Sequence, residues 1–280
     1  MNPIEQVESY SDHPSVMLKG DALRAGTPIL GSFINAISWQ ESVQTLLHWA
    51  KGRQSRYVCI CNVHVVVTAK QNSQFCQVVN EADMATPDGM PLAWVLRRIG
   101  FQQQERINGP DLMWRVCGQA AEMGLSIFLY GSTPDTLGRL RESLKASFPQ
   151  LAVAGIYSPP FRRLSDEEDR EIINLINNSG AHIMFVGLGC PKQEFWMSAH
   201  RGKIQAVMIG VGAAFDYHAG TVKRAPLWMQ RSGLEWLFRL ISEPRRLWKR
   251  YLVTNSLFLV YLGCGLIKAR SWAGLRSVND

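Results

Sequence analysis

The sequence predicts an α/β protein built on a mostly parallel sheet. Three observations carry this. Short apolar runs alternate with longer helical stretches along most of the 280 residues. One of these runs, at residues 57–61, is apolar throughout, as strands covered on both faces are. Several also end in glycine-rich turns that open helices. In a parallel sheet such turns gather along the carboxyl ends of the strands, where ligands bind.

The elements follow in order. A first strand is expected over residues 29–34. Ser38-Trp39-Gln40-Glu41 is a capping box that opens a helix to about residue 51. Residues 57–61 read as a buried strand, followed by helices to about residue 80. A short strand at 84–86 runs into Pro87-Asp88-Gly89-Met90 and a helix to residue 98. Asn108-Gly109-Pro110-Asp111 starts another helix, with Pro110 suited to an early helical position. Residues 126–130 form a strand ending in Gly131-Ser132-Thr133-Pro134, which opens the next helix. A strand at 151–156 precedes Ser165-Asp166-Glu167-Glu168, which caps a helix to about residue 178. The strand at 182–186 leads into Gly187-Leu188-Gly189-Cys190-Pro191, and a last strand at 206–209 leads into Gly210-Val211-Gly212.

Composition narrows the class. An apolar fraction of 46% with 19% charged residues is globular and excludes a mainly disordered chain. The net charge of +7 is unevenly placed. Residues 231–280 hold nine Lys/Arg against three acids, or +6, whereas the first 230 hold 21 against 20, or +1. A cationic tail on a near-neutral body points to an anionic partner. Residues 251–267 carry no charge over 17 positions, the lower limit for a spanning helix. Thr254, Asn255, Ser256, two glycines and flanking cations favour an interfacial helix instead. Trp228, Trp236, Phe238, Trp248 and Tyr251 interleave with the tail's cations in the same sense. The expected organisation is a flexible arm at 1–26, an α/β body at 27–225, and a helical, basic, aromatic appendage at 226–280. The arm is polar and acidic, unlike a secretory signal. The six cysteines form no C-x-x-C pair, which suits a reducing compartment, and Cys59 and Cys61 share one strand face as buried thiols.

Four turns could do chemistry. Asp88, directly after a strand, is a candidate general base, or a turn residue satisfying backbone amides. Gly131-Ser132-Thr133 before a helix could hold phosphate on backbone amides. It is neither a dinucleotide fingerprint nor a P-loop. Gly187 to Glu194 repeats that architecture and adds Lys192 and Gln193 at the helix start. Gly210-Val211-Gly212, with Asp216 beyond it, is followed by Lys223 and Arg224, which could face phosphate or water. Asp166 to Asp169 is acidic because acids suit a helix start. No Asp-x-Asp pattern or paired histidines suggest a metal site, and no Gly-x-Ser-x-Gly elbow suggests a serine hydrolase. His64 follows Asn62 at a strand end and could touch ligand.

Together these turns resemble the WecG/TagA/CpsF glycosyltransferase family. The matching stretches are Asn62-Val63-His64, Pro87-Asp88-Gly89, Glu105-Arg106-Ile107-Asn108-Gly109-Pro110-Asp111, Phe128-Leu129-Tyr130-Gly131, Gly187 to Glu194, and Gly210-Val211-Gly212 with Phe215-Asp216. In the tail, residues 223–226, Gly233-Leu234-Glu235-Trp236, Arg239 and Glu243-Pro244-Arg245-Arg246 match as well. The resemblance covers roughly residues 28–252.

It implies a single Rossmann-like domain with a C-terminal appendage that closes over the site and contacts a membrane. The implied reaction moves a hexose from a UDP-sugar to a sugar on a polyprenyl-diphosphate lipid, with inversion, without metal or other cofactor. The implied place is the cytoplasmic face of the bacterial inner membrane. Glucose, N-acetylmannosamine or its uronic acid remain open as the sugar. By resemblance Asp88 is the base, Arg106 an active-site arginine, and Gln193 a glutamine near the nucleotide-sugar. Arg239, Arg246 and Lys249 or Arg250 complete the site. Asn62, His64, Asn108, Gly131, Ser132, Gly189, Lys192, Gly212 and Asp216 fill the expected substrate-binding set. Two positions depart: Ile60-Cys61 stands where many relatives place a threonine just before Asn62, and Cys190 stands where alanine or asparagine is common. Two rivals are weaker. An epimerase would need a dinucleotide fingerprint, which is missing. A nucleic-acid binder would use the basic aromatic tail, but the tail is strongly apolar and carries no RNA-binding motif, so no nucleic-acid partner is expected.

Overall fold

The computed structural model describes the backbone of residues 25–276 and the side chains of 25–264, so most of the expected N-terminal arm lies outside the described residues. The chain opens on a hairpin, β1 (Gly26–Ile29) and β2 (Ser32–Asn35), paired antiparallel. The single strand expected at 29–34 is therefore corrected to two. Leu30 and Gly31 turn the chain with φ of 53° and 95°, the left-handed pair that a two-residue hairpin requires. Leucine rarely adopts that region, so the sequence carried only half of the turn signal.

Helix α1 (Trp39–Lys51) begins at the expected capping box, with Ser38 Oγ accepting from the Glu41 amide and Glu41 returning the bond to the Ser38 amide. Strand β3 (Arg56–Cys61) follows, then α2 (Val63–Gln71) and α3 (Ser73–Asn80). They are two helices because Asn72 leaves helical geometry and its side chain caps the second, accepting from the Phe75 amide at 3.0 Å. Next come β4 (Met84–Pro87), α4 (Met90–Arg98), α5 (Gly109–Glu122), β5 (Ser126–Gly131) and α6 (Pro134–Ser147). Then follow β6 (Ala152–Tyr157), α7 (Asp166–Asn178), β7 (Ile183–Gly187), α8 (Lys192–His200) and β8 (Val207–Gly210). The tail is helical: α9 (Ala214–His218), α10 (Leu227–Arg231), α11 (Glu235–Ser242) and α12 (Pro244–Arg276).

Strands β3 to β8 form one six-stranded parallel sheet in the order β4-β3-β8-β7-β5-β6. Alternate side chains of β3 feed two cores. Val58 and Ile60 join Leu46, Val116 and Phe185 on one face. Tyr57, Cys59 and Cys61 join Val66, Met184 and Met208 on the other. Cys59 and Cys61 are fully buried free thiols, and burial pushes both well above the ordinary thiol value.

The sheet brings the ends of β5 and β7 very close. Gly131 has φ of 122°, and a Cβ there would lie 2.6 Å from the Gly187 carbonyl. Gly131→Ala is therefore expected to cost about 2 kcal/mol or more, read as a lowered Tm by calorimetry. An unchanged Tm would mean that the two strand ends separate freely.

The tail packs onto the body. Leu247 and Phe258 of α12 are buried, Phe258 within the core face that α2 contributes to. No helix among the described residues is long and apolar enough to cross a membrane.

Candidate active site

The carboxyl ends of β3 and β4 place the first group. Asn62, just after β3, caps α2 by accepting from the amides of His64 and Val65 at 3.0 and 3.3 Å. Asp88 follows β4, and its amide donates to the Cys61 carbonyl at 2.7 Å, which fixes it beside the end of β3. The segment after α4 is pinned in turn, because the Ile107 amide donates to the Pro87 carbonyl at 3.0 Å. That bond carries Arg106 to the same edge.

There Arg106 donates through Nε and Nη2 to Asp88 Oδ1, both at 3.2 Å, and through Nη2 to Glu235 Oε2 at 2.8 Å. One guanidinium thus joins a carboxylate of the sheet edge to a carboxylate at the start of α11. All three side chains are largely shielded, at 14%, 18% and 12% exposure for Arg106, Asp88 and Glu235. Burial pushes the Asp88 carboxyl above its ordinary value; Arg106 opposes that rise and Glu235 adds to it. Burial works against the charge on Arg106, but Asp88 and Glu235 outweigh it and hold the guanidinium above its ordinary value.

This cluster lines a cavity of about 580 Å³ bounded by α2, α4, α11 and α12. Asn62, His64, Asp88, Arg106 and Arg239 line it, so five of the residues singled out in the sequence meet there. Of the pair Lys249 or Arg250, the structure brings Arg250 to the cavity. Burial, with Arg250 nearby, pushes His64 down to about 4, so it is neutral at physiological pH. The Nε atoms of Arg239 and Arg250 are buried without a hydrogen-bond partner. Arg239 sits over the Tyr217 ring at 5.6 Å. Burial lowers Arg250 from its ordinary value. Two buried guanidinium Nε donors without acceptors, on residues that line one cavity with a carboxylate, suit an anionic ligand.

The other expected residues do not line this cavity. Asn108 is buried and caps α5, accepting from the Asp111 amide at 3.0 Å and from Arg224 Nη2 at 3.2 Å. Arg224 is partly exposed and also holds Asp111 through two bonds of 2.5 and 2.9 Å. The Ser132 amide, next to Gly131, donates to the Gly187 carbonyl at 3.1 Å, so the fold already uses it. Gln193 is buried: its Oε1 accepts from the Gly189 amide at 3.1 Å and its Nε2 donates to Glu194 at 3.0 Å. It lies against the end of β8, where a Cβ on Gly212 would be 3.6 Å from Gln193 Oε1. Lys192 is exposed at the start of α8. Burial raises Asp216, and the nearby Arg246 and Arg239 oppose that rise. Arg246 itself is mostly exposed and pairs with Glu243.

Glu235, named from the sequence only within the matching Gly233-Leu234-Glu235-Trp236 stretch, carried no expected role. Its signal was present, for it is one of three acids in a strongly cationic segment. Glu194 is a second omission. It is fully buried, its Oε2 has no partner, and burial raises its carboxyl while Gln193 opposes that rise.

The model of the WecG/TagA/CpsF glycosyl transferase family matches residues 27–271. A Bacillus spizizenii protein named N-acetylglucosaminyldiphosphoundecaprenol N-acetyl-beta-D-mannosaminyltransferase is 34% identical over 197 residues, covering 70% of this chain and 74% of its own. A Bacillus subtilis protein of the same name is 31% identical over 207 residues, covering 73% and 78%. The chain belongs to the WecG/TagA/CpsF family and is a glycosyltransferase.

Proposed function

We propose that this glycosyltransferase moves a hexose, N-acetylmannosamine first among the candidates, from a UDP-sugar to a sugar carried on a polyprenyl diphosphate. Membership of the family and the names of the two Bacillus relatives supply the sugar and the lipid acceptor. The observation that carries the chemistry is the shielded Asp88 in one cavity with two buried, unpartnered guanidinium donors.

In the proposed reaction Asp88 takes the proton of the acceptor hydroxyl. That oxygen bonds to the anomeric carbon while the bond to UDP breaks on the opposite face. From an α-linked nucleotide sugar this displacement gives a β product, as the relatives' names describe for them. Burial helps by keeping the Asp88 carboxylate basic, and Arg106 keeps it ionised. No metal is called on. Arg239 and Arg250 meet diphosphate charge through charge-assisted bonds. Purified protein is expected to release UDP from UDP-N-acetylmannosamine only when lipid-diphosphate N-acetylglucosamine is present. Release from none of UDP-N-acetylmannosamine, its uronic acid or UDP-glucose would overturn the reading.

The acceptor lies in a membrane, and the +6 tail suits an anionic surface at the cytoplasmic face, with about 1 kcal/mol per surface cation. Trp248 and Leu252 are 54% and 64% exposed beside Lys249. Replacing both with serine is expected to reduce co-sedimentation with anionic vesicles while leaving Tm unchanged. Vesicle binding equal to that of the unaltered protein would remove this face as the contact. Truncation before Ser242 is a poorer test, because it would also strip Leu247 and Phe258 from the core.

A further inference from the structure

We propose that the wall of the cavity between α4 and α12 is a subsite for the first isoprene units of the acceptor, so that the enzyme reads the lipid chain as well as its sugar-diphosphate head. The inference rests on the acceptor reading above. It starts from the two chemistries of one cavity. Asp88, Arg106 and Arg250 supply charge. Trp94 and Val95 of α4 and Phe258, Leu259 and Leu262 of α12 line it with apolar side chains. Trp94 is 51% and Leu259 69% exposed, so this wall reaches the surface, whereas the charged residues are shielded. Apolar side chains gathered along a cavity are costly to leave wet.

The wall suits the lipid better than the nucleotide. A uracil and ribose need several donors and acceptors, and the polar groups that α4 and α12 bring to the cavity, Arg98, Arg250, Tyr251, Thr254 and Asn255, are outnumbered by Met90, Pro91, Trp94, Val95, Phe258, Leu259 and Leu262. Thr254 is one, but its hydroxyl already donates to the Arg250 carbonyl at 2.8 Å. An isoprenoid diphosphate has an anionic head joined directly to an apolar chain. An acceptor whose sugar hydroxyl reaches Asp88 has its diphosphate, and then its chain, farther out along the same cavity, against Trp94 and Leu259.

Acceptors carrying N-acetylglucosamine diphosphate on one, two or three isoprene units, used without vesicles and below their aggregation concentration, separate a chain subsite from membrane recruitment. The unaltered enzyme is expected to lower its acceptor KM about tenfold or more from one unit to three. In Trp94→Ala and in Leu259→Gln that ratio is expected to fall toward one, with the KM for the sugar nucleotide little changed. Leu259 is exposed enough that its replacement leaves the fold intact, which a melting curve checks. Ile241→Gln, an exposed position of α11 that does not line the cavity, is expected to keep the ratio. A KM independent of chain length, or full chain-length preference in both cavity variants, would overturn the subsite and leave the acceptor reading standing. No transfer to any of the three acceptors would overturn the acceptor reading itself.

Discussion

Asp88→Asn is expected to lower kcat by about 10²–10⁴-fold, the contribution of a positioned general base, while sugar-nucleotide binding and folding persist. The asparagine has the same shape and keeps an oxygen for Arg106 to donate to. Arg106 also retains Glu235, 2.8 Å away, so no guanidinium is stranded by the change. What disappears is the capacity to take a proton. The buried Asp88 carboxyl already lies above its ordinary value, which makes it a better base than a solvated carboxylate. Steady-state kinetics read the loss, calorimetric titration with UDP reads retained binding, and a melting curve reads the fold. A variant with full kcat would remove Asp88 as the base.

Arg106→Ala is expected to cost both stability and activity. It leaves two shielded carboxylates, Asp88 and Glu235, without the cation they share. Stranding a fully buried partner costs about 3–5 kcal/mol, and the residual exposure of these side chains reduces the expected loss to about 2–3 kcal/mol. The pH dependence identifies the cause. Without Arg106, only a hydrogen bond from Asn62 opposes burial and the Glu235 charge at Asp88, so its folded-state pKa rises further above the unfolded value. Such a carboxyl stabilises the fold when protonated, and that contribution is lost as pH rises through its folded pKa. The Tm deficit of Arg106→Ala should therefore grow from acid toward neutral pH, and the acid limb of kcat should move to higher pH. A deficit constant across pH would place the effect outside the carboxylate pair.

The legible parts of this protein are those set by local chemistry. The capping boxes at Ser38 and Ser165 start helices where expected. The all-apolar run into Cys61 is a buried parallel strand. Asp88 and Asn62 were visible because strand-ending turns in a parallel sheet converge. The parts that were not legible depend on long-range packing. Glu235 reaches Arg106 across 129 residues because α11 docks on the sheet edge, which no spacing announces. The Ser132 amide looked free in sequence, yet the neighbouring strand end supplies its acceptor. Charge counting found the cationic tail but not its division. Helical phase and docking bring Arg239 and Arg250 to the cavity and leave Arg246 outside it.

The stereochemistry of the transferred sugar tests the single-displacement claim most directly. The glycolipid formed from α-linked UDP-N-acetylmannosamine and lipid-diphosphate N-acetylglucosamine can be isolated and its new linkage read by the one-bond anomeric carbon–proton coupling. A β linkage, formed by the unaltered enzyme and missing from an equal incubation with Asp88→Asn, is the expected result. An α linkage, or a β product formed equally well without the Asp88 carboxylate, would contradict it.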